Sequence, residues 1–92
     1  MKSVRNIKSA LMGQLMDFCH QINTMTKANC TLYYNGSCGS ISVALYRDGW
    51  TQGAKAEDLV CLYGDYTEED LLNAVTKVAM VLGALEVRDA EG

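Results

Sequence analysis

Hydrophobic positions in the first third of the chain repeat with the period of an α-helix. Between residues 3 and 28 they recur at steps of three and four, which places them on one helical face. These positions are Val4, Ile7, Leu11, Leu15, Phe18, Ile22 and Met25. Ser3 is a candidate N-cap, and Asn29 suits a helix end because asparagine tolerates left-handed conformations. The pattern predicts one long helix over residues 3–28.

Three shorter segments, 30–34, 41–46 and 58–63, have the composition of strands. The second alternates strictly, whereas the third is apolar on both faces, so its facing is not fixed by the pattern. Residues 35–39 (NGSCG) predict a hairpin loop. A four-residue loop at 35–38 would place Leu32 opposite Ile41 and Cys30 opposite Val43. We expect this register because it aligns the apolar faces.

The second helix begins with the clearest local signal in the sequence. Thr67 is an N-cap with Asp70 three residues later, and Tyr66 and Leu71 occupy the hydrophobic-staple positions. An apolar stripe follows at Leu71, Val75, Val78, Leu82 and Leu85. The element order α-β-β-β-α predicts an α+β fold, a three-stranded antiparallel sheet with two helices packed on one face. We expect one domain over residues 1–92, with 86–92 as a frayed tail.

Composition and segment lengths indicate the cellular compartment in which we expect the protein. Hydrophobic residues make up 49% of the chain and charged residues 21%, as in ordinary globular domains. No secretory signal and no apolar segment of membrane-spanning length occurs, so we expect a cytoplasmic protein with no membrane partner. The four cysteines form no C-x-x-C pair, and we expect them to be small buried hydrophobic residues.

Charge is divided unevenly along the chain. The first 55 residues carry six basic and two acidic residues, a net charge of +4, and the rest carries two basic and nine acidic residues, a net charge of −7. Glu68, Glu69 and Asp70 are accounted for by the helix start, where carboxylates favour the helix dipole. Glu57, Asp58 and Asp65 have no such role. These three carboxylates are our candidate partner-binding residues, provided that the fold gathers them on one surface.

No constellation for catalysis is present. Cys19 and the single histidine, His20, are neighbours on a helix and point apart, so they do not form a nucleophile–base pair. No metal-ligand spacing and no glycine-rich phosphate loop occurs. We therefore expect no catalytic residue, no metal and no cofactor, that is, a protein that is not an enzyme.

Aromatic residues supply a second candidate surface. In the expected register, Tyr33 and Tyr46 lie on the sheet face away from the helices, and Trp50 lies in the following connection as an exposed anchor or a lid over the core. Two tyrosines on an open sheet can stack nucleic-acid bases. Arg47 is the one basic residue nearby, however, so we prefer a protein partner. Met12, Met16 and Met80 lie off the main stripes and leave a homodimer as an alternative.

The length, acidity and element order resemble those of small accessory proteins of phages and mobile elements. Some of these proteins, including the anti-CRISPR inhibitors of Cas nucleases, offer carboxylates to a basic nucleic-acid channel. The resemblance lies in architecture and charge. It implies a non-enzymatic inhibitor that binds a basic nucleic-acid enzyme. The alternatives are a single-stranded nucleic-acid binder that uses the tyrosine face and a homodimeric structural or regulatory protein.

Overall fold

The computed structural model describes residues 7–85, and it has the expected α+β architecture. The elements follow the order α-β-β-β-α. Their bounds are α1 Ile7–Met25, β1 Asn29–Asn35, β2 Ser40–Tyr46, β3 Glu57–Leu62 and α2 Glu68–Ala84. The expected N-cap at Ser3 and the tail at residues 86–92 lie outside the described residues.

The three strands form one antiparallel sheet in the order β1-β2-β3. The hairpin loop has four residues, as expected, but it spans 36–39 instead of 35–38, because Asn35 pairs with Ser40. The expected register was therefore wrong: Leu32 lies opposite Val43, and Cys30 lies opposite Leu45. Each partner is displaced by two residues, so the strands keep their faces.

An irregularity in β3 explains why its sequence is apolar on both faces. The ladder pairs Val43 with Val60 and then Ala44 with Asp58, which leaves Leu59 as an extra residue. This is the arrangement of a β-bulge, in which two residues of one strand oppose one residue of its partner. Both Leu59 and Val60 are buried as a result. Because of the bulge, two consecutive apolar residues both contribute to the core.

Both helices pack on one face of the sheet. Helix α1 contacts β1 and α2, and α2 contacts β3. The central strand β2 buries alternate residues beneath them, namely Ile41, Val43 and Leu45. The helices contribute Leu15, Cys19, Ile22, Leu71, Ala74, Val75 and Val78 to the same cluster. No helix or strand of residues 7–85 covers the opposite face.

A partly buried amide joins the end of α1 to the start of β1. The Asn23 side chain donates from Nδ2 to the carbonyl oxygens of Cys19, at 3.1 Å, and Cys30, at 2.8 Å. Its Oδ1 accepts from the backbone N–H of Cys30 at 2.8 Å. One asparagine thus satisfies both backbone groups of a strand residue, as a neighbouring strand would.

Helix α2 starts as the sequence predicts. The hydroxyl oxygen of Thr67 accepts from the Asp70 N–H, and the Asp70 carboxylate accepts from the Thr67 N–H, both at 3.0 Å. This reciprocal pair is a complete capping box. Tyr66 packs against the core beside the fully buried Leu71. The box and the staple together fix where the chain leaves the sheet and enters the helix.

Replacing Asn23 by alanine should destabilise the fold by about 1–3 kcal/mol, because the N–H of Cys30 loses its acceptor in a partly buried site. Urea unfolding followed by circular dichroism measures the difference. The matched control is Asn73→Ala, a substitution on the exposed side of α2 that should change the free energy of unfolding by less than about 0.5 kcal/mol. Equal effects of the two substitutions would contradict the role given to Asn23.

Replacing Gly64 by alanine should cost about 1–3 kcal/mol, because a Cβ at this position would collide with the carbonyl oxygen of Cys38 in the hairpin loop. Gly13→Ala is the control, since a Cβ at Gly13 meets no other atom within 4 Å. In that helical position alanine should stabilise by about 0.5–1 kcal/mol. Thermal unfolding of both variants tests the opposite signs.

Candidate functional site

The main candidate surface is the uncovered side of the sheet, which we call the open face. The strand register places on it the side chains Thr31, Tyr33, Ser42, Ala44, Tyr46, Asp58 and Cys61. This confirms the facing expected for the residues of the first two strands. Among these positions Asp58 carries the single formal charge. The open face is thus a weakly charged surface with small and aromatic side chains.

Tyrosines mark three positions on this side of the molecule. Tyr33 is 59% exposed, and Tyr46 is partly buried. Tyr63, 68% exposed, directly follows β3, and the Cys61 side chain raises the pKa of its hydroxyl, which places it beside the open face. Sequence reasoning missed Tyr63 because the facing of the third strand was not fixed. The run of consecutive apolar residues in β3 was the signal that could have indicated a bulge, and with it the position of Tyr63.

The three candidate carboxylates do not lie together. Glu57 begins β3, whereas Asp65 lies beyond its other end, and six strand residues span about 20 Å. Asp58 lies on the open face opposite Ala44. In the described structure these residues therefore supply no single acidic surface. Asp65 is instead close in sequence to the carboxylates of the first turn of α2.

Glu57 is engaged by a cation. Its carboxylate accepts two hydrogen bonds from the Arg47 guanidinium, from Nε at 2.8 Å and from Nη2 at 2.9 Å. This bidentate pair lowers the pKa of Glu57 below its ordinary value and raises that of Arg47. Arg47 also borders a groove of about 380 Å³ along α2, lined by Lys77, Met80 and Val81. The cation is therefore on the helix side of the sheet and not on the open face.

Trp50 has an exposed side chain, which agrees with the first of the two alternatives, an exposed residue and not a lid. It is 61% exposed and therefore does not form a lid over the core. Its backbone N–H donates to Oδ1 of Asn29 at 2.6 Å, which fixes the connection after β2 to the start of β1. This bond fixes the backbone of Trp50 near one end of the sheet, and a role of the exposed indole as an anchor for a partner stays a prediction.

The cysteines divide into two pairs. Cys19 and Cys30 are buried, as expected, and their mutual hydrogen bond together with burial raises the pKa of the Cys19 thiol. Cys38 and Cys61 are exposed, so the expectation of burial was wrong for them. Cys38 lies in the hairpin loop, where Ser40 lies 3.4 Å from its sulfur and lowers its pKa. Cys61 alternates onto the open face, where no helix covers it.

The remaining candidates are His20 and the methionines off the main stripes. His20 is exposed on α1, away from the core. Among residues 7–85, no group of three or more histidine, cysteine or acidic side chains is arranged to hold a metal ion. Neither α1 nor α2 combines the length and the apolar character that crossing a membrane would require. Met12 packs against the core, whereas Met16 and Met80 are exposed.

Replacing Arg47 by glutamine should raise the pKa of Glu57 back towards its ordinary value, because the bidentate hydrogen bonds are lost. A carboxyl whose folded-state pKa is lowered stabilises the fold above its unfolded-state pKa. That stabilisation is lost as the pH falls through the lowered value. NMR titration of the Glu57 carboxyl carbon measures the shift. Lys27→Gln, far from Glu57 in sequence, is the control, and an equal shift in both variants would contradict the pairing.

Comparison with known proteins adds no relative. No family model, no curated protein and no solved structure matches this chain. The functional proposal below therefore depends on the geometry and the chemistry of the described residues.

Proposed function

We propose that this protein is a non-enzymatic module that binds another protein through the open face of its sheet. The observation that supports this is the uncovered face itself, which presents Tyr33 and Tyr46 with Tyr63 beside them. Tyrosine is enriched where proteins contact each other, because its ring is large and rigid and its hydroxyl forms hydrogen bonds. A sheet face that carries such rings is suited to contact with another protein.

The charge on the open face favours a protein partner over a nucleic acid. Binding to a phosphate backbone requires lysine or arginine near the stacked bases. The strand positions of the open face hold Asp58 and no basic residue. Arg47, the nearest cation in sequence, is paired with Glu57 on the helix side. Arg47 and Lys55 do border a pocket beside Tyr46, whereas the strand positions around Tyr33 hold no cation of the kind that a single-strand binder uses.

An inhibitory role against a basic nucleic-acid enzyme stays a prediction. Of the three candidate carboxylates, Asp58 belongs to the proposed surface. Glu57 is neutralised in part by Arg47, and Asp65 lies at the far end of β3. The binding function proposed here depends on the tyrosines and does not require a continuous acidic surface.

The test is a pull-down in which the open face is changed and the fold is kept. Tyr33→Ser combined with Tyr46→Ser should abolish capture of the protein that the wild-type chain retains from a lysate of its native host. Met80→Ser removes an apolar side chain that is 70% exposed on α2 and should leave capture unchanged. Circular dichroism confirms that all three proteins are folded, and nuclease treatment of the lysate should not affect capture.

Two outcomes would overturn the proposal. One is retention of the same protein by the double tyrosine variant, because the open face would then be dispensable. The other is loss of capture after nuclease treatment, because the contact would then run through nucleic acid. Absence of any protein retained in preference to a bead control also counts against a protein-binding module.

A further inference from the structure

The hydrogen bonds of Asn23 show which backbone groups of β1 point away from the sheet. β1 is an edge strand, with β2 on its inner side. Asn23 bonds to both the N–H and the C=O of Cys30. In an antiparallel ladder both groups of one residue point to the same side. Those of Cys30 therefore point outward, away from its partner Leu45.

The same alternation exposes the next two positions of that edge. Leu32 and Tyr34 follow Cys30 at steps of two, so their N–H and C=O groups also point outward. Within residues 7–85 no further strand pairs with this side of β1. The edge thus offers two donors and two acceptors, at the spacing that an added strand requires, and Asn23 closes it at the Cys30 end.

The two edges of the sheet differ in how they resist an added strand. Natural edges are protected by bulges and charged residues. β3 has both, with its bulge at Leu59 and the carboxylates of Glu57 and Asp58. β1 is regular over seven residues and contains no charged residue. Of the two edges, β1 is the one open to pairing.

A strip of apolar side chains lies above this edge. Met12 and Met16 lie on the same side of α1 as Asn23, because the three are spaced by four and seven residues. Met16 is 54% exposed, and Tyr34 is 55% exposed although it lies on the helix side of β1. Met12 and Tyr34 line one shallow pocket. An apolar side chain projecting from an added strand towards the helices would lie against these residues.

A second copy of this chain is a poor occupant of the edge. Helix α1 packs directly on β1. Antiparallel pairing of two β1 strands about a two-fold axis would bring the two α1 helices to about one strand spacing, ~4.8 Å. Packed helices need roughly 8–10 Å between their axes. A strand without a helix above it meets no such obstacle.

We infer that the outer edge of β1 binds an extended peptide segment of a protein partner as a fourth strand. The segment covers about five residues, pairs with the backbone of Leu32 and Tyr34, and projects an apolar side chain towards Met12 and Met16. This inference rests on the proposed function only in taking a protein as the partner. The surface is different, since it is the edge of the sheet and not its open face.

The experiment uses the full-length chain and a displayed library of random heptapeptides as the probe. Enriched peptides should be uncharged at alternate positions and should shift the amide NMR signals of Leu32 and Tyr34. Methylating the peptide nitrogens that face the edge should abolish binding, whereas methylating those that face away should not. In the free protein, the amides of Leu32 and Tyr34 should exchange with solvent faster than those of Thr31 and Tyr33.

Three variants locate the contact. Tyr34→Pro removes an outward N–H and should weaken an enriched peptide about tenfold or more. Tyr34→Val keeps the N–H and should retain most of the affinity. Gln52→Pro alters an exposed turn residue between β2 and β3 that belongs to neither proposed surface and should leave affinity unchanged. Thermal unfolding shows whether each variant is folded, and the methylated peptides test the wild-type protein directly.

Several results would contradict the binding of a peptide strand at the edge of β1. Failure of the library to yield a binder, binding that maps to another surface, or equal affinity of Tyr34→Pro would overturn the inference. Slow exchange at Leu32 and Tyr34 in a self-associated state detected by sedimentation would show that a second copy takes the edge instead. Loss of natural-partner capture in the tyrosine double variant with no peptide binding would overturn the edge inference and leave the open-face proposal intact.

Discussion

The structure depends on burial that is confined to one side of a three-stranded sheet. A chain of 92 residues can enclose a single core, and here α1 and α2 enclose it against the inner side chains of β2. Within residues 7–85 the sheet has no second layer, and no helix or strand of that range covers its opposite face. We therefore expect this protein to contact its partners through the surfaces that this one-sided packing leaves uncovered.

Local chemistry made much of the fold predictable, and long-range pairing made the rest hard. The capping box at Thr67 and Asp70 depends on four consecutive residues, so the sequence specifies it without tertiary contacts. The hairpin register depends on whether Asn35 ends the strand or begins the loop, and both choices align the apolar faces. The bulge at Leu59 is invisible to a strict period of two, so the facing of β3 and the place of Tyr63 stayed open.

The candidate site, like the fold, could be predicted from the sequence only in part. Alternation along a regular strand is sufficient to put Tyr33 and Tyr46 on the open face. Whether Glu57, Asp58 and Asp65 meet depends on the path of β3 and on the partner that Arg47 finds, neither of which the sequence states. The role of Asn23 is likewise a product of the fold, because an asparagine beside the apolar stripe of a helix does not disclose that it will face the edge of a strand.

The close approach of two glycines at one end of the sheet has a mechanical consequence. A Cβ on Gly39 would lie 3.2 Å from Cα of Gly64, so the hairpin tip and the exit from β3 touch through their backbones. Close-packed backbones with no intervening side chain leave little room for one to slide past the other. The tip of the hairpin is therefore packed directly against the segment that leads from β3 to α2. A side chain larger than hydrogen at either glycine would push these two backbones apart.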